Sequence, residues 1–457
     1  MTSDAEANAL FWKAYSTAIL EMLTSGGAGL GTNSRVYITS SNQRAIPGGS
    51  GVPEEITNWG VHNLANNLLD ANGGVTFNPT ASIGGYVEAL ALYLEAIKPV
   101  SNDVNKQMMA RLHAAQANVD AADLRVTAIL KATVPQYSYD PNGKGVTPWL
   151  SWCHRNAPQY VATLKNYNEA KDMLIYVTDA VYGPGVGQLT QDLKVPSNAL
   201  NTTAPIENGV TMGASLDDIT MDSALTLHFP SPLHVFTVPA YTITGYGEAI
   251  DGWMLTSTDG MEPAFTSTIS STVGRQYDAK SFGHDEASGS GGFDLGFISA
   301  GAGGGTSTDT SSFQFGQWVD EVTLTLTVNF VQTLTINPGQ WDVDFMDLAA
   351  KMGVRPPSSV TPRVRPTQAL FASGVGLKAT FGAAAGSQFD TFYKKNQAAS
   401  GGFSIFGFHV GGSESSSITK ATNKCTWDVA SCTLTIPPAP TAHNAQLLAV
   451  IGEVVFL

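Results

Sequence analysis

Eight histidines in 457 residues leave few places where acid–base or metal chemistry can be assembled. His228 and His234 stand six positions apart in a stretch of strand character, about 20 Å from each other if the strand is straight. Pro230 and Pro232 allow a bend there, yet no third ligand lies near, so the pair specifies no metal site. His284-Asp285-Glu286 supplies acid and base groups in a glycine-flanked loop, and nothing in the sequence buries or pairs them. Gly27-Ala28-Gly29-Leu30-Gly31 has the composition of a nucleotide-binding loop, but it follows a helical stretch where such a loop follows a strand. No Gly-x-Ser-x-Gly elbow, phosphate loop, zinc-protease or EF-hand pattern is present. The sequence therefore names no catalytic residue, no cofactor and no metal.

The unusual composition lies in two Gly/Ser-rich arms that carry large apolar side chains. The first, Ala287 to Phe297, holds Phe293, Leu295 and Phe297; the second, Ala399 to Phe408, holds Phe403, Ile405, Phe406 and Phe408. Each arm is the middle of three matched blocks. Gln276-Tyr277-Asp278 precedes the first arm and Thr333-Leu334-Thr335-Ile336 follows it; Gln388-Phe389-Asp390 and Thr433-Leu434-Thr435-Ile436 flank the second. The blocks predict a duplicated β unit over 276–338 and 388–438, with a period of about 100 residues, longer than solenoid repeats of about 20–50. They make Leu334 and Ile336 the equivalents of Leu434 and Ile436, all four buried.

Three readings of the arms follow. As packed hairpins, their glycines allow close backbone approach and their Phe side chains fill core. As latent hairpins, with Ser and Thr on one face and apolar residues on the other, they enter a bilayer. A membrane strand needs about 9–11 residues, a length that 290–330 supplies. As assembly elements, they add strands to a neighbour's sheet. In composition the arms resemble the hairpins of aerolysin-type pore formers, which implies a soluble form that converts to membrane β-hairpins.

The elements that carry these arms change character along the chain. Residues 4–24 read as a helix, with Ala7, Leu10, Phe11, Ala14, Ala18 and Met22 at three- and four-residue steps. Pro53-Glu54-Glu55 opens a second helix to about Asn72, and a third runs from near Ser82 to before Pro99. From Val100, four- and three-residue steps through Val119, Val126 and Ile129 predict one helix to about Thr133. Leu150, Cys153, Tyr160, Leu164, Tyr167, Leu174 and Val181 continue the spacing after a polar turn at 139–143, with Lys171 and Thr178 as gaps. The two make a long antiparallel hairpin over about 98–183, with Pro158 as a possible break.

Residues 186–220 read as a linker or wrapped loop, and beyond them the period becomes two. The clearest strand is 321–336, where Val322, Leu324, Leu326, Val328, Phe330, Leu334 and Ile336 alternate with Thr and Asn. It is long enough that it must bend, cross two sheets or project. A short helix at 343–351 and an irregular connection marked by Pro356, Pro357, Pro362 and Pro366 lead to the second arm. A buried strand, 446–457, ends the chain. Cys425 and Cys432, seven apart, are expected as free thiols because a straight strand holds them about 23 Å from each other, against about 7 Å for a disulfide.

The expected fold is α+β: a helical region, 1–185, then an antiparallel β-sandwich, 221–457, with the internal duplication. The formal net charge of -14 argues against a nucleic-acid groove. The opening Met1 to Glu6 lacks a signal peptide's basic and apolar regions, and no apolar run nears the roughly 20 residues of a membrane helix. Synthesis in the cytoplasm is expected, with release by lysis or a non-classical route open. The functional expectation is a non-catalytic, membrane-active protein that works by oligomerisation, with its own copies and lipid as partners. The contact residues are Phe293, Leu295, Phe297, Phe403, Ile405 and Phe408. A structural self-assembling protein and an enzyme with a pocket between helical and β regions are the alternatives.

Overall fold

The computed structural model describes residues 2–25, 34–38, 45–66, 86–87, 90, 106–144, 146–192, 206, 209–215, 219–221, 227–230, 233–257, 260–277, 297–300, 315–342, 363–398, 403–406, 408–410, 425–438 and 442–455. The helices are α1 (Asp4–Ser25), α2 (Glu54–Asn66), α3 (Lys106–Tyr139), α4 (Trp149–Asn156), α5 (Pro158–Tyr182), α6 (Val186–Asp192), α7 (Tyr246–Thr256), α8 (Ser271–Arg275) and α9 (Ala383–Ala398). The strands before the first arm are β1 (Ser34–Ile38), β2 (Ala45–Pro47), β3 (Val210–Ala214), β4 (Thr220–Met221), β5 (Leu227–His228), β6 (Val235–Pro239), β7 (Tyr241–Ile243) and β8 (Phe265–Ser270). Those after it are β9 (Ile298–Ala300), β10 (Val322–Pro338), β11 (Arg363–Phe381), β12 (Phe403–Ile405), β13 (Phe408–Val410), β14 (Thr426–Asp428), β15 (Thr433–Ile436) and β16 (Asn444–Val455). The chain is α+β, with helices prevailing in the N-terminal part and an antiparallel sheet built mainly from C-terminal strands.

Two long strands organise that sheet. β10 and β11 pair antiparallel from Val322↔Phe381 to Thr335↔Gln368. At one end β8 lies beside β10, and β15 then β14 lie beyond β11. At the other end β7 lies beside β10, while β16 joins β11 and carries β1 and β2 on its far side. Alternate residues of β1 show that both faces are covered there. Val36 and Ile38 enter a core shared with α1, and Tyr37 enters a second core shared with α7 and α2. Burial on both faces makes the β16 segment Leu447–Ile451 read as one apolar run rather than an alternation.

The long Thr-alternating strand switches faces midway. Val322, Leu324, Leu326 and Val328 lie in the first core, whereas Leu334 and Ile336 lie in the second. All six are even-numbered, so an unkinked strand would send them one way. β11 switches at the same rung: Val375, Leu377, Ala379 and Phe381 join the first core, Ala369 and Phe371 the second. The turning point is Gly374, at φ +65°, where an added Cβ would stand 2.7 Å from the Cβ of Asn329 on β10. A side chain there meets both the left-handed penalty and a wall. The strand expected at 321–336 thus exists and bends, but Phe330, Leu334 and Ile336 leave the face of the first four. Phe330 instead stacks on Trp253 of α7, 5.9 Å between ring centroids.

β11 itself replaces the irregular connection expected around Pro366. A register shift against β16 between Pro366 and Gln368 accommodates the proline, the bulge position at which a sheet tolerates a residue without N–H. The helix expected at 343–351 lies outside the described residues.

Around the matched blocks the elements run in the same order, β8–α8–β9–β10 and β11–α9–β13–β15, although Gln276 and Tyr277 follow α8 while Gln388, Phe389 and Asp390 lie within α9. In each, the last strand pairs antiparallel with the first, and β9 and β13 both run antiparallel to β12 between them. One equivalence moves. The ladder of β10 with β8 covers Thr323 to Val328, so Leu324, Leu326 and Val328, and not Leu334 and Ile336, lie against the first strand of their unit as Leu434 and Ile436 do. Leu334 and Ile336 lie beyond the kink, although all of these side chains are buried. A strict period of two makes any even shift of register look alike in sequence.

The helical hairpin has a core of its own. Ala115, Val119, Val126 and Leu130 of α3 meet Tyr160, Tyr167 and Leu174 of α5, and α4 adds Trp149, Trp152 and Cys153. The two gaps in the heptads are accommodated without opening the seam: Lys171 lies over the Tyr167 ring, and buried Thr178 donates to the Leu174 carbonyl at 2.7 Å. α3 continues to Tyr139, past the expected end at Thr133, with Pro135 inside it. Tyr137, packed edge-on against Trp149 and Trp152, holds that last turn. Pro158 does mark a break, standing at the start of α5 after Ala157.

Among the described residues of 1–185, α1 and the helical hairpin enter different cores. The apolar residues of α1 occupy more than one face, including the adjacent Phe11 and Trp12 and Ala14 and Tyr15, and so need cover on two sides. The large sheet provides one.

Candidate functional site

The second cover of α1 is made by the arms. α1 starts with a capping box: the Ser3 N–H donates to Glu6 Oε2 at 2.9 Å and the Glu6 N–H to Ser3 Oγ at 3.2 Å. Asp4 Oδ1 accepts from the Gly316 N–H at 2.6 Å, which anchors the turn carrying Phe315. α8 approaches the middle of the helix so closely that a Cβ on Gly274 would lie 2.0 Å from the Leu10 carbonyl oxygen.

Against the exposed side of this helix, β9, β12 and β13 form a separate three-stranded sheet. β12 lies in the centre, with Phe403↔Ala300 and Ile405↔Ile298 on one side and Phe403↔Val410 and Ile405↔Phe408 on the other. Phe297 stacks on Phe11 at 4.8 Å with its ring 18° from parallel, and its N–H donates to Asn8 Oδ1 at 3.3 Å. Phe403 packs among Phe389, Phe392 and Tyr393 of α9. Phe297, Phe403, Ile405 and Phe408 are all buried in the first core. Phe293 and Leu295 lie outside the described residues.

Phe406 joins the parts. Its N–H donates to the Phe297 carbonyl at 2.7 Å, so it ties one arm to the other. Its ring stacks on Tyr15 at 4.6 Å and meets Trp12 edge-on at 5.0 Å, so it ties both arms to α1. It does so with φ at +48°, a left-handed conformation that a bulky side chain rarely adopts. Such a backbone stores about 1–3 kcal/mol and persists only where packing enforces it.

The other sequence candidates do not converge on chemistry. His228 is exposed on β5, and His234 sits beside Phe236. His284-Asp285-Glu286 and Gly27–Gly31 lie outside the described residues. No group of three or more His, Cys, Asp or Glu side chains is placed to hold a metal among the described residues. No disulfide joins Cys153, Cys425 or Cys432 to another cysteine. The last two are separated for a different reason than a straight strand. A turn does form, held by Asp428, which accepts from the Ala430 N–H and the Ser431 hydroxyl. It places Cys432 at the tip of the β14–β15 hairpin, with Cys425 beyond the far end of the ladder.

Beneath the second core a polar chain runs from Tyr86 through Asp342 and Arg365 to Glu453, with contacts of 2.8, 3.3 and 3.0 Å. Burial, then Asp342, pushes the Tyr86 hydroxyl far above its ordinary pKa, so it acts as a donor. The chain fastens β11 to β16 and to the Trp341 turn. Arg365 faces carboxylates on both sides, which leaves it no free fork for a ligand.

Composition found the arms, but not what they cover. The available signal was the breadth of the apolar surface on α1, which no single packed face accounts for. No helix among the described residues is long and apolar enough to cross a membrane. No protein-family model matches the chain, no curated protein matches it, and no solved structure does.

Proposed function

We propose that this is a non-catalytic, membrane-active protein, that the two arms form a detachable cap in its resting state, and that it acts by oligomerisation once the cap leaves. One observation carries the reading. The described ends of two Gly/Ser-rich arms about 100 residues apart, 297–300 and 403–410 without Gly407, come together in one small aromatic sheet, which pairs with no strand of the large sheet among the described residues and is pinned to α1 by a strained Phe406. Departure of the cap relieves the strain at Phe406 and presents the aromatic side chains to lipid. It also uncovers α1 above β10 and β11, strands of 17 and 19 residues, longer than the 9–11 a bilayer needs. Their far face at the β8 end is hydroxyl-rich: Thr266 and Thr268 of β8, Thr323 of β10 and Thr380 of β11 are exposed there. Apolar residues on one face and hydroxyls on the other are the pattern of a strand that serves both media.

Dye-loaded vesicles give the test. Release of dye by the wild-type protein, with a lipid-bound oligomer on sizing, is the expected result. Ordered particles formed without lipid, and no release, would favour the assembly reading instead. Neither release nor particles across anionic and zwitterionic vesicles would remove both.

A further inference from the structure

α2 joins the helical hairpin to the large sheet, and beside the apolar Ile56, Val61 and Ala65 it buries three polar side chains. Glu55, Asn58 and His62 are 1%, 8% and 8% exposed and lie along one stripe of the helix. Two of the three have a polar or charged partner. Glu55 is paired with Lys144, from the turn between α3 and α4. Asn58 Nδ2 donates to Thr211 Oγ1 at 2.9 Å and to the Met212 carbonyl at 3.1 Å, both on β3. His62 differs: its Nδ1 is buried with no hydrogen-bond partner. Its ring stacks on Trp59 at 5.7 Å and lies against Tyr241 of β7 at 6.5 Å.

Among the described residues, the surroundings offer an imidazolium no counter-charge. α2 packs on β2, β3, β6 and β7. Of these only β7 brings a titratable group, Tyr241, whose hydroxyl is buried without a partner and held neutral by that burial. Behind Tyr241, Asp342 is engaged by Tyr86 and Arg365. Glu54, Glu55 and Lys144 lie at the opposite end of α2, about two turns or 10 Å along the axis. A neutral His62 fits this site, and a protonated one is a buried, unpaired charge.

We propose that α2 is an acid-sensitive joint, in which protonation of His62 undocks the helix from β7 and frees the helical hairpin from the sheet. Burial pushes the imidazole down to about 4 from an ordinary value of 6.5. The docked form therefore binds fewer protons than the undocked form between pH 6.5 and 4, so docking is intact above that window and weakens as pH falls through it. For this shift the ratio of undocked to docked joint rises roughly 30-fold between pH 7.4 and pH 5.0. The inference does not rest on the membrane reading; it needs only the joint to open.

Hydrogen exchange on the full chain, corrected for intrinsic rates, reads the joint directly. In the wild type, opening of 54–66 is expected to increase roughly 30-fold on going from pH 7.4 to 5.0, while 4–25 stays protected. In His62→Phe, which keeps a ring against Trp59 and carries no proton, the increase is expected to vanish. Wild-type protection of 54–66 that is unchanged at pH 5.0 overturns the inference, whatever the variant does. So does an acid-induced opening that persists in His62→Phe, or in His62→Leu should the Phe ring not be accommodated.

Discussion

Replacement of Phe403, Ile405 and Phe408 together by Ser is expected to abolish cooperative folding. The three side chains are 1%, 0% and 6% exposed and sit in the first core. Large-to-small changes at buried Phe and Ile cost about 2–5 kcal/mol each. Three of them in one cluster reach the whole stability of a domain, about 5–15 kcal/mol. Each new hydroxyl adds a polar group to an apolar site. Urea titration followed by far-UV circular dichroism checks this, and Phe297→Ala alone should give an intact fold weakened by about 3–5 kcal/mol. A triple variant with wild-type midpoint would mean that the arms contribute no core. The expected loss also means that such substitutions cannot separate a membrane role from a packing role; the wild-type chain must be followed as it meets lipid.

Removal of Lys144 should be nearly as damaging. Its partner Glu55 has a side chain only 1% exposed. Lys144→Ala leaves that carboxylate buried without its cation, a change that costs about 3–5 kcal/mol. The double variant Lys144→Met/Glu55→Leu removes both charges and should recover most of the loss, because an apolar pair of similar volume avoids the desolvation. Denaturant titrations of the single and double variants measure the coupling. A loss under about 1 kcal/mol for Lys144→Ala is the behaviour of a solvent-exposed pair, and would contradict the placement of α2 as a buried joint.

What the sequence made legible follows the range of the interactions responsible. The heptads of α3 and α5 are local, and they predicted the hairpin and its seam down to Tyr160, Tyr167 and Leu174. The alternation over 321–336 predicted β10, but not its change of face, because the kink is imposed by Gly374 on the neighbouring strand. β11 was hidden by Pro366 and by its burial on both faces between Ala369 and Ala372, which removes the period. The arms were visible as composition and their pairing was not. That β12 lies between β9 and β13, with Phe406 under Phe297 and over Tyr15, is decided by contacts across hundreds of residues. The displaced third block shows the same limit: Thr323-Leu324-Thr325-Leu326 and Thr333-Leu334-Thr335-Ile336 match the second copy almost equally well, and only the ladder with β8 chooses between them.

The central claim, that the arm sheet leaves α1 for lipid, is tested most directly by a photoactivatable apolar reagent confined to the bilayer. The wild-type protein is mixed with dye-loaded vesicles, illuminated once dye release begins, and mapped by mass spectrometry. The account predicts label on the arm peptides spanning 297–300 and 403–410 in step with dye release, and none without vesicles. Dye release with those peptides unlabelled would contradict it.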